Sequence, residues 1–180
     1  MAISIYIDNN VWDFLFARQL DLKVELPPDE FCICITREAE FEIPSIPDDK
    51  AELKAFIEAT IARCGIQTDS FFGFYDDRLP QNEQRVGGFD EGRWASPAEL
   101  AFMNQQSTPL TPRKKLKTKL YKDEADISLA ARSFRSVVLS LDAKTGPINN
   151  AYKRGGKVVF LTDFDRSGKS LSDFIKAAFP

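Results

Sequence analysis

The sequence predicts an α/β fold, a three-layer α/β/α arrangement in outline, with a mainly parallel central sheet between two layers of helices. Short apolar runs at residues 3–7, 31–35, 137–141 and 157–161 have the length of strands and read as buried on both faces. Segments of helical spacing alternate with them, which is the order that parallel sheets require. With 180 residues, a single domain spanning 1–180 with a sizeable core is expected.

Ile3, Ile5 and Ile7 alternate with Ser4 and Tyr6, and the run stops at Asp8-Asn9-Asn10, so a core strand presents Asp8 at its carboxyl end. Val11, Trp12, Leu15 and Phe16 then have helical spacing. Phe31 to Ile35 follows Pro27-Pro28-Asp29 and runs straight into Thr36-Arg37-Glu38-Ala39-Glu40-Phe41, a strand feeding a short acidic helix that Pro44 and Pro47 end. Asp48-Asp49 caps a helix carrying Leu53, Phe56, Ile57, Ile61 and Cys64 on one face and stopping at Gly65.

Residues 66–95 mix aromatic residues and glycines with polar groups, and an ordered irregular loop or small hairpin is expected there. Ser96-Pro97-Ala98-Glu99 has the spacing of a capping box, and Thr108-Pro109 to Thr111-Pro112 interrupts the chain after the short helix it opens. Asp123 to Phe134 reads as a helix with Ile127, Ala130, Ala131 and Phe134 inward. A strand ending at Asp142, a helix over 147–153 closed by Gly155-Gly156, a strand at 157–161 and a last helix with Leu171, Phe174, Ile175 and Ala178 inward complete the pattern.

Composition narrows the chemistry. The chain has no histidine, so imidazole-based nucleophilic catalysis, zinc sites with His ligands and histidine pH switches are excluded. Cys32, Cys34 and Cys64 are odd in number and read as buried small hydrophobes in a reducing compartment. No apolar run approaches the ~20 residues of a membrane span, and a soluble cytoplasmic protein with no membrane partner is expected. Net charge is −3, yet residues 113–122 carry six cations and no acid. That strip is either a solvated connector or a phosphate-contacting surface of Lys114, Lys115, Lys117 and Lys119.

Sites in open parallel sheets form at the carboxyl ends of the strands. Asp8, Glu40 and Asp142 are expected at or just beyond three such ends, and Asp126 in the first turn of the helix feeding the third strand. Each acid taken singly has a structural reading as a cap or turn former. Gathered together they would repel by about 4 kcal/mol per pair at ~4 Å in an effective dielectric near 20. A cation relieves that repulsion, and an all-oxygen donor set suits Mg²⁺ or Mn²⁺ and, through them, phosphodiester hydrolysis.

At these residues the chain resembles the PIN-domain nucleases. Ile5-Tyr6-Ile7-Asp8-Asn9-Asn10-Val11 looks like the family's opening strand, and Ile35-Thr36 with Glu40-Phe41 looks like its second acidic position. Asp126-Ile127-Ser128-Leu129-Ala130-Ala131 resembles its Asp-led helix, Val138-Leu139-Ser140-Leu141-Asp142 the strand ending in Ser, any residue, Asp, and Gly156 to Phe160 its last strand. The resemblance covers about residues 2–67 and 119–163. Glu40 stands one residue later after Thr36 than the family spacing, which leaves Glu38 as the alternative, and residues 68–118 form an insertion without a counterpart in compact members.

The resemblance implies a metal-dependent endoribonuclease, often the toxin of a bacterial toxin–antitoxin pair. Asp8, Asp126 and Asp142 would hold Mg²⁺ or Mn²⁺, Glu40 would complete the cluster or position the attacking water, and Asn10 would orient Asp8 or a metal-bound water. It implies an RNA substrate, with an antitoxin protein and a second copy of the chain as candidate partners, and Tyr75 or Trp94 available for base stacking. Two readings compete: an inactive PIN-like interaction module, and a Toprim-like enzyme suggested by Thr162-Asp163-Phe164-Asp165-Arg166-Ser167-Gly168. The Toprim pattern lacks the earlier glycine-associated Glu and leaves only 12 residues after Gly168. Asp163 remains a candidate outer acid of the PIN-like site.

Overall fold

The computed structural model describes residues 2–77, 79–106 and 118–179. In chain order the main elements are β1 (Ile3–Ile7), α1 (Asn9–Ala17), α2 (Leu22–Glu25), β2 (Phe31–Thr36), α3 (Arg37–Glu42), α4 (Ala51–Cys64), β3 (Gln67–Asp69), α5 (Pro97–Gln106), α6 (Glu124–Arg132), β4 (Val137–Ser140), α7 (Pro147–Lys153), β5 (Val158–Phe160), α8 (Phe164–Ser167) and α9 (Leu171–Ala178). The five strands form one sheet in the order β3-β2-β1-β4-β5, every neighbouring pair parallel.

Strand alternation divides the interior in two. Ile5, Ile7, Ile33, Ile35, Val137, Leu139 and Val159 point to one face, where α1, α3, α4, α8 and α9 deliver Val11, Trp12, Leu15, Ala39, Leu53, Ile57, Phe164, Leu171 and Ile175. Tyr6, Cys34, Val138 and Val158 point to the other, under Phe102 of α5, Leu129 to Ala131 of α6, and Ile148 and Ala151 of α7. Residues from neighbouring strands meet in register, Ile5 beside both Ile33 and Val137, so each face presents a continuous apolar surface.

Several elements follow directly from local chemistry. Thr36 caps α3 by accepting from the Ala39 N–H at 3.0 Å. Gly65 closes α4 in the left-handed region at φ 62°. At Ser96 the capping box is reciprocal: Ser96 N–H donates to Glu99 at 2.7 Å, and Glu99 N–H donates back to Ser96 Oγ at 3.3 Å.

The structure departs from the sequence reading in several places: Ala178, expected inward on the last helix, is exposed, and Cys64 is only half-buried. Phe14 is buried against Phe164 where Phe16 was expected inward, and Phe16 lies at the margin against Phe56. Asp48 and Asp49 form a separate 3₁₀ turn, so the residue preceding α4 is Lys50. Cys32 is exposed, one pleat repeat before buried Cys34, beside Ser4 where the second core ends. Residues 67–69 form the edge strand β3, whose Gln-Thr-Asp sequence lacks the apolar run by which the other strands were recognised.

No helix among the described residues is long and apolar enough to cross a membrane.

Candidate active site

The strand order reverses between β1 and β4, the two strands that chain connections leave in opposite directions. In open parallel sheets, the crevice outside such a switch point is where ligands bind. Asp8 and Ser140 occupy it, each at the carboxyl end of its strand. The Asp8 N–H completes the ladder by donating to Leu139 O at 3.0 Å, which fixes its backbone against β4.

The Asp8 side chain is buried, at 8 % exposure. One of its oxygens, Oδ2, accepts from Asn10 Nδ2 at 2.6 Å and from the Ser140 hydroxyl at 2.6 Å. Asn10 reaches across the switch point as well, its Oδ1 accepting from the Leu141 N–H at 2.9 Å. Burial pushes the Asp8 carboxyl above its ordinary range. The donors on Ser140, Asn10 and the Asn9 backbone oppose that shift, and the Glu42 carboxylate adds to it.

Glu42 belongs to this site through α3. Successive helical residues turn by about 100°, so Glu38 and Glu42, four apart, share a face, while Glu40 lies on the opposite side. Glu42 accepts from Asn9 Nδ2 at 2.6 Å, next to Asp8 in the chain. Glu38 is buried at 7 % exposure and accepts from the Ser128 hydroxyl of α6 at 2.7 Å. Burial raises its carboxyl, against the opposing effects of Arg132 and the Ser128 hydrogen bond. Glu40 pairs with Arg37 at 2.5 Å on the outer side of the helix. Two signals in the sequence point to Glu42: Thr36 as cap fixes the start of α3, and Ala39 with Ile43 marks its inner face.

The remaining candidates are dispersed. Asp142 is exposed just past β4 and folds back on the chain, accepting from the Lys144 N–H at 3.0 Å as a turn former. Asp126 is half-buried in the first turn of α6. Asp163 lies on the surface beyond β5, 3.6 Å from Arg166. Lys119 pairs with Glu83 at 2.7 Å, while Lys114, Lys115 and Lys117 lie outside the described residues. Among the described residues, no group of three or more acidic or thiol side chains is gathered closely enough to hold a metal ion.

Beside the crevice lies a second buried polar system that the sequence reading missed. Arg132 is fully buried; its Nε donates to Asp69 Oδ2 at 2.7 Å, Nη2 to Asp69 O at 3.0 Å, and Nη1 to the Ser128 hydroxyl at 2.6 Å. Arg93 adds a 3.3 Å contact to Asp69 and a two-point pair to Glu99 at 2.5 and 3.1 Å. The Phe71 ring lies near both guanidiniums, 4.2 Å from that of Arg132 and 4.6 Å from that of Arg93. Despite its burial, the Glu99 carboxyl is held below its ordinary range by Arg93 and Ser96. The network ties α6, β3, α5 and residues 70–94 together.

No family model, curated protein or solved structure matches the chain.

Proposed function

We propose that the chain is a PIN-like nuclease that hydrolyses RNA phosphodiester bonds with Mg²⁺ or Mn²⁺. The observation that carries this reading is Asp8, buried at the β1/β4 switch point, held there by Asn10 and Ser140, with Glu42 beside Asn9. A buried carboxylate of raised pKa at the carboxyl ends of parallel strands is a candidate functional acid. Preference for RNA rests on the motif resemblance.

The donors fit a hard cation bound through few protein ligands. Mg²⁺ commonly takes one or two carboxylates and fills its remaining positions with water and substrate phosphate. Asp8 and Glu42 supply that pair in this reading, in place of the four-acid set Asp8, Glu40, Asp126 and Asp142. Bound there, the cation would supply Lewis-acid charge at the scissile phosphate. Asn10 and Ser140 fix the Asp8 carboxylate by holding Oδ2, and Asn9 does the same for Glu42.

The test is cleavage of labelled single-stranded RNA in Mn²⁺ by the wild type, Asp8→Asn, Glu42→Gln and Glu40→Gln, with EDTA as control. Loss in the first two variants and in EDTA, with Glu40→Gln active, is the expected pattern. Cleavage that persists in Asp8→Asn refutes the site. One observation favours a non-catalytic interaction module, namely that the four acids of the sequence reading are not gathered into one cluster. A wild type inactive on varied RNAs would decide for that module.

A further inference from the structure

Residues 70–77 and 79–94 form a strap that continues from the end of β3, the edge strand of the sheet. Phe72 N–H donates to Arg93 O at 2.8 Å, Gly87 N–H to Phe71 O at 2.9 Å, and Arg93 N–H to Ser70 O at 3.0 Å. The backbones approach so closely that a Cβ on Gly87 would lie 2.6 Å from Gly92 N, and one on Gly92 2.8 Å from the Phe72 backbone. The Arg132–Asp69–Arg93–Glu99 network anchors this strap from below.

The strap displays aromatic rings to solvent. Phe72 packs against Trp94 at 4.4 Å and Phe89 at 5.0 Å between centroids, yet Trp94 and Phe89 are 72 % and 82 % exposed. Together with β3 they border a cleft of about 510 Å³. Its charge is one-sided: Arg132 and Arg93 offset Asp69 and Glu99, whereas Asp90 and Glu91 have no cationic partner among the described residues. Among the described residues, the Glu91 carboxylate accepts only from the Tyr75 hydroxyl at 3.3 Å, and exposed rings next to carboxylates that lack a cationic partner attract cations and repel phosphates.

We infer that this cleft docks an extended basic segment of a partner protein, which lies along β3 and places Arg or Lys side chains on Trp94 and Phe89 and against Asp90 and Glu91. Three features carry the inference: the free edge of β3 suits strand addition, the rings suit cation–π contact, and Asp90 and Glu91 supply charge complementarity. The glycine-set strap holds the rings in place before binding, which lowers the ordering cost. This docking site does not depend on the nuclease reading.

The test is fluorescence anisotropy with the full chain and a labelled decapeptide of alternating Arg and Val, compared with a Glu-Val decapeptide and a single-stranded RNA. The Arg-Val peptide is expected to bind. Trp94→Ala and Asp90→Asn/Glu91→Gln should each weaken it by about tenfold, while Asp48→Asn/Asp49→Asn, remote exposed acids, should leave it unchanged. Thermal melts establish that the variants fold. Absent binding, equal binding by all variants, preference for the RNA, or a self-dimer that Trp94→Ala dissolves would each overturn the inference.

Discussion

Replacing Arg132 by Met tests whether the buried network holds Arg93 and its neighbours to the sheet. The guanidinium is fully buried and donates to the Asp69 carboxylate, the Asp69 carbonyl and Ser128 at 2.6–3.0 Å. Met restores much of the apolar volume and none of the donors. Removing one partner of a buried ion pair costs about 3–5 kcal/mol. Asp69 keeps Arg93 at 3.3 Å and is 16 % exposed, which places the expectation at the lower end, about 3 kcal/mol. For a domain of this size that corresponds to a fall in Tm of about 6–12 °C. Urea unfolding and thermal melts read it directly, and limited proteolysis within 70–94 should become faster. Arg132→Lys keeps the charge but not the fork, and should fall between wild type and Met. Asp69→Asn in the Arg132→Met background should recover part of the loss, because no carboxylate is then stranded. A cost for Arg132→Met below about 1 kcal/mol would show that the network does not bear on stability as argued.

Two further predictions concern charge. Adding Mn²⁺ at about 100 times its Kd should stabilise the wild type by about 2.7 kcal/mol, a rise in Tm of about 5–10 °C, and should do little for Asp8→Asn or Glu42→Gln; an unshifted wild type counts against the proposed pair. Burial raises the Glu38 carboxyl above its ordinary 4.5 in the folded state, so between that value and the folded pKa the native state binds more protons than the unfolded chain. Stability should therefore fall as pH rises through that window, and Glu38→Gln should flatten the fall. Urea titrations from about pH 5 to about pH 8 measure the slope, and one that is steeper in Glu38→Gln would refute the assignment.

Most of the fold was legible because its strands advertise themselves. Ile3 to Ile7, Phe31 to Ile35 and Val137 to Leu141 are apolar on both sides, and burial between helix layers is the physical reason. β3 escaped because an edge strand with Gln67 and Thr68 toward solvent has no need of an apolar pattern. At the site, Asp8 and Asn10 were readable from their position after a core strand. Glu42 was readable only from the Thr36 cap and the Ala39–Ile43 face, because spacing counted from a motif ignores helical phase, and α3 turns Glu40 away while bringing Glu38 and Glu42 to one face. Arg132 was illegible for a different reason. A lone arginine at the end of a helix reads as a solvated cation near the dipole, and only Asp69, 63 residues earlier in the chain, gives it a buried partner.

The acids at or near the interior differ in what faces them, and the contrast between Asp8 and the pair Asp69 and Glu99 bears on function. Asp69 and Glu99 each face a guanidinium, so their charges are compensated within the chain and serve to join β3 and α5 to α6 and Arg93. Asp8 is held by neutral donors alone, an amide and a hydroxyl, with another carboxylate nearby to raise its pKa further. A sequence shaped for stability alone would place an Asn or Ser at that point, or a cation beside it, since an unpaired buried charge is costly. The donors around Asp8 fix its orientation and leave its charge uncompensated. That is the arrangement expected where the compensating charge arrives from outside the chain, and it makes Asp8→Asn the one substitution expected to raise stability at neutral pH while abolishing cleavage.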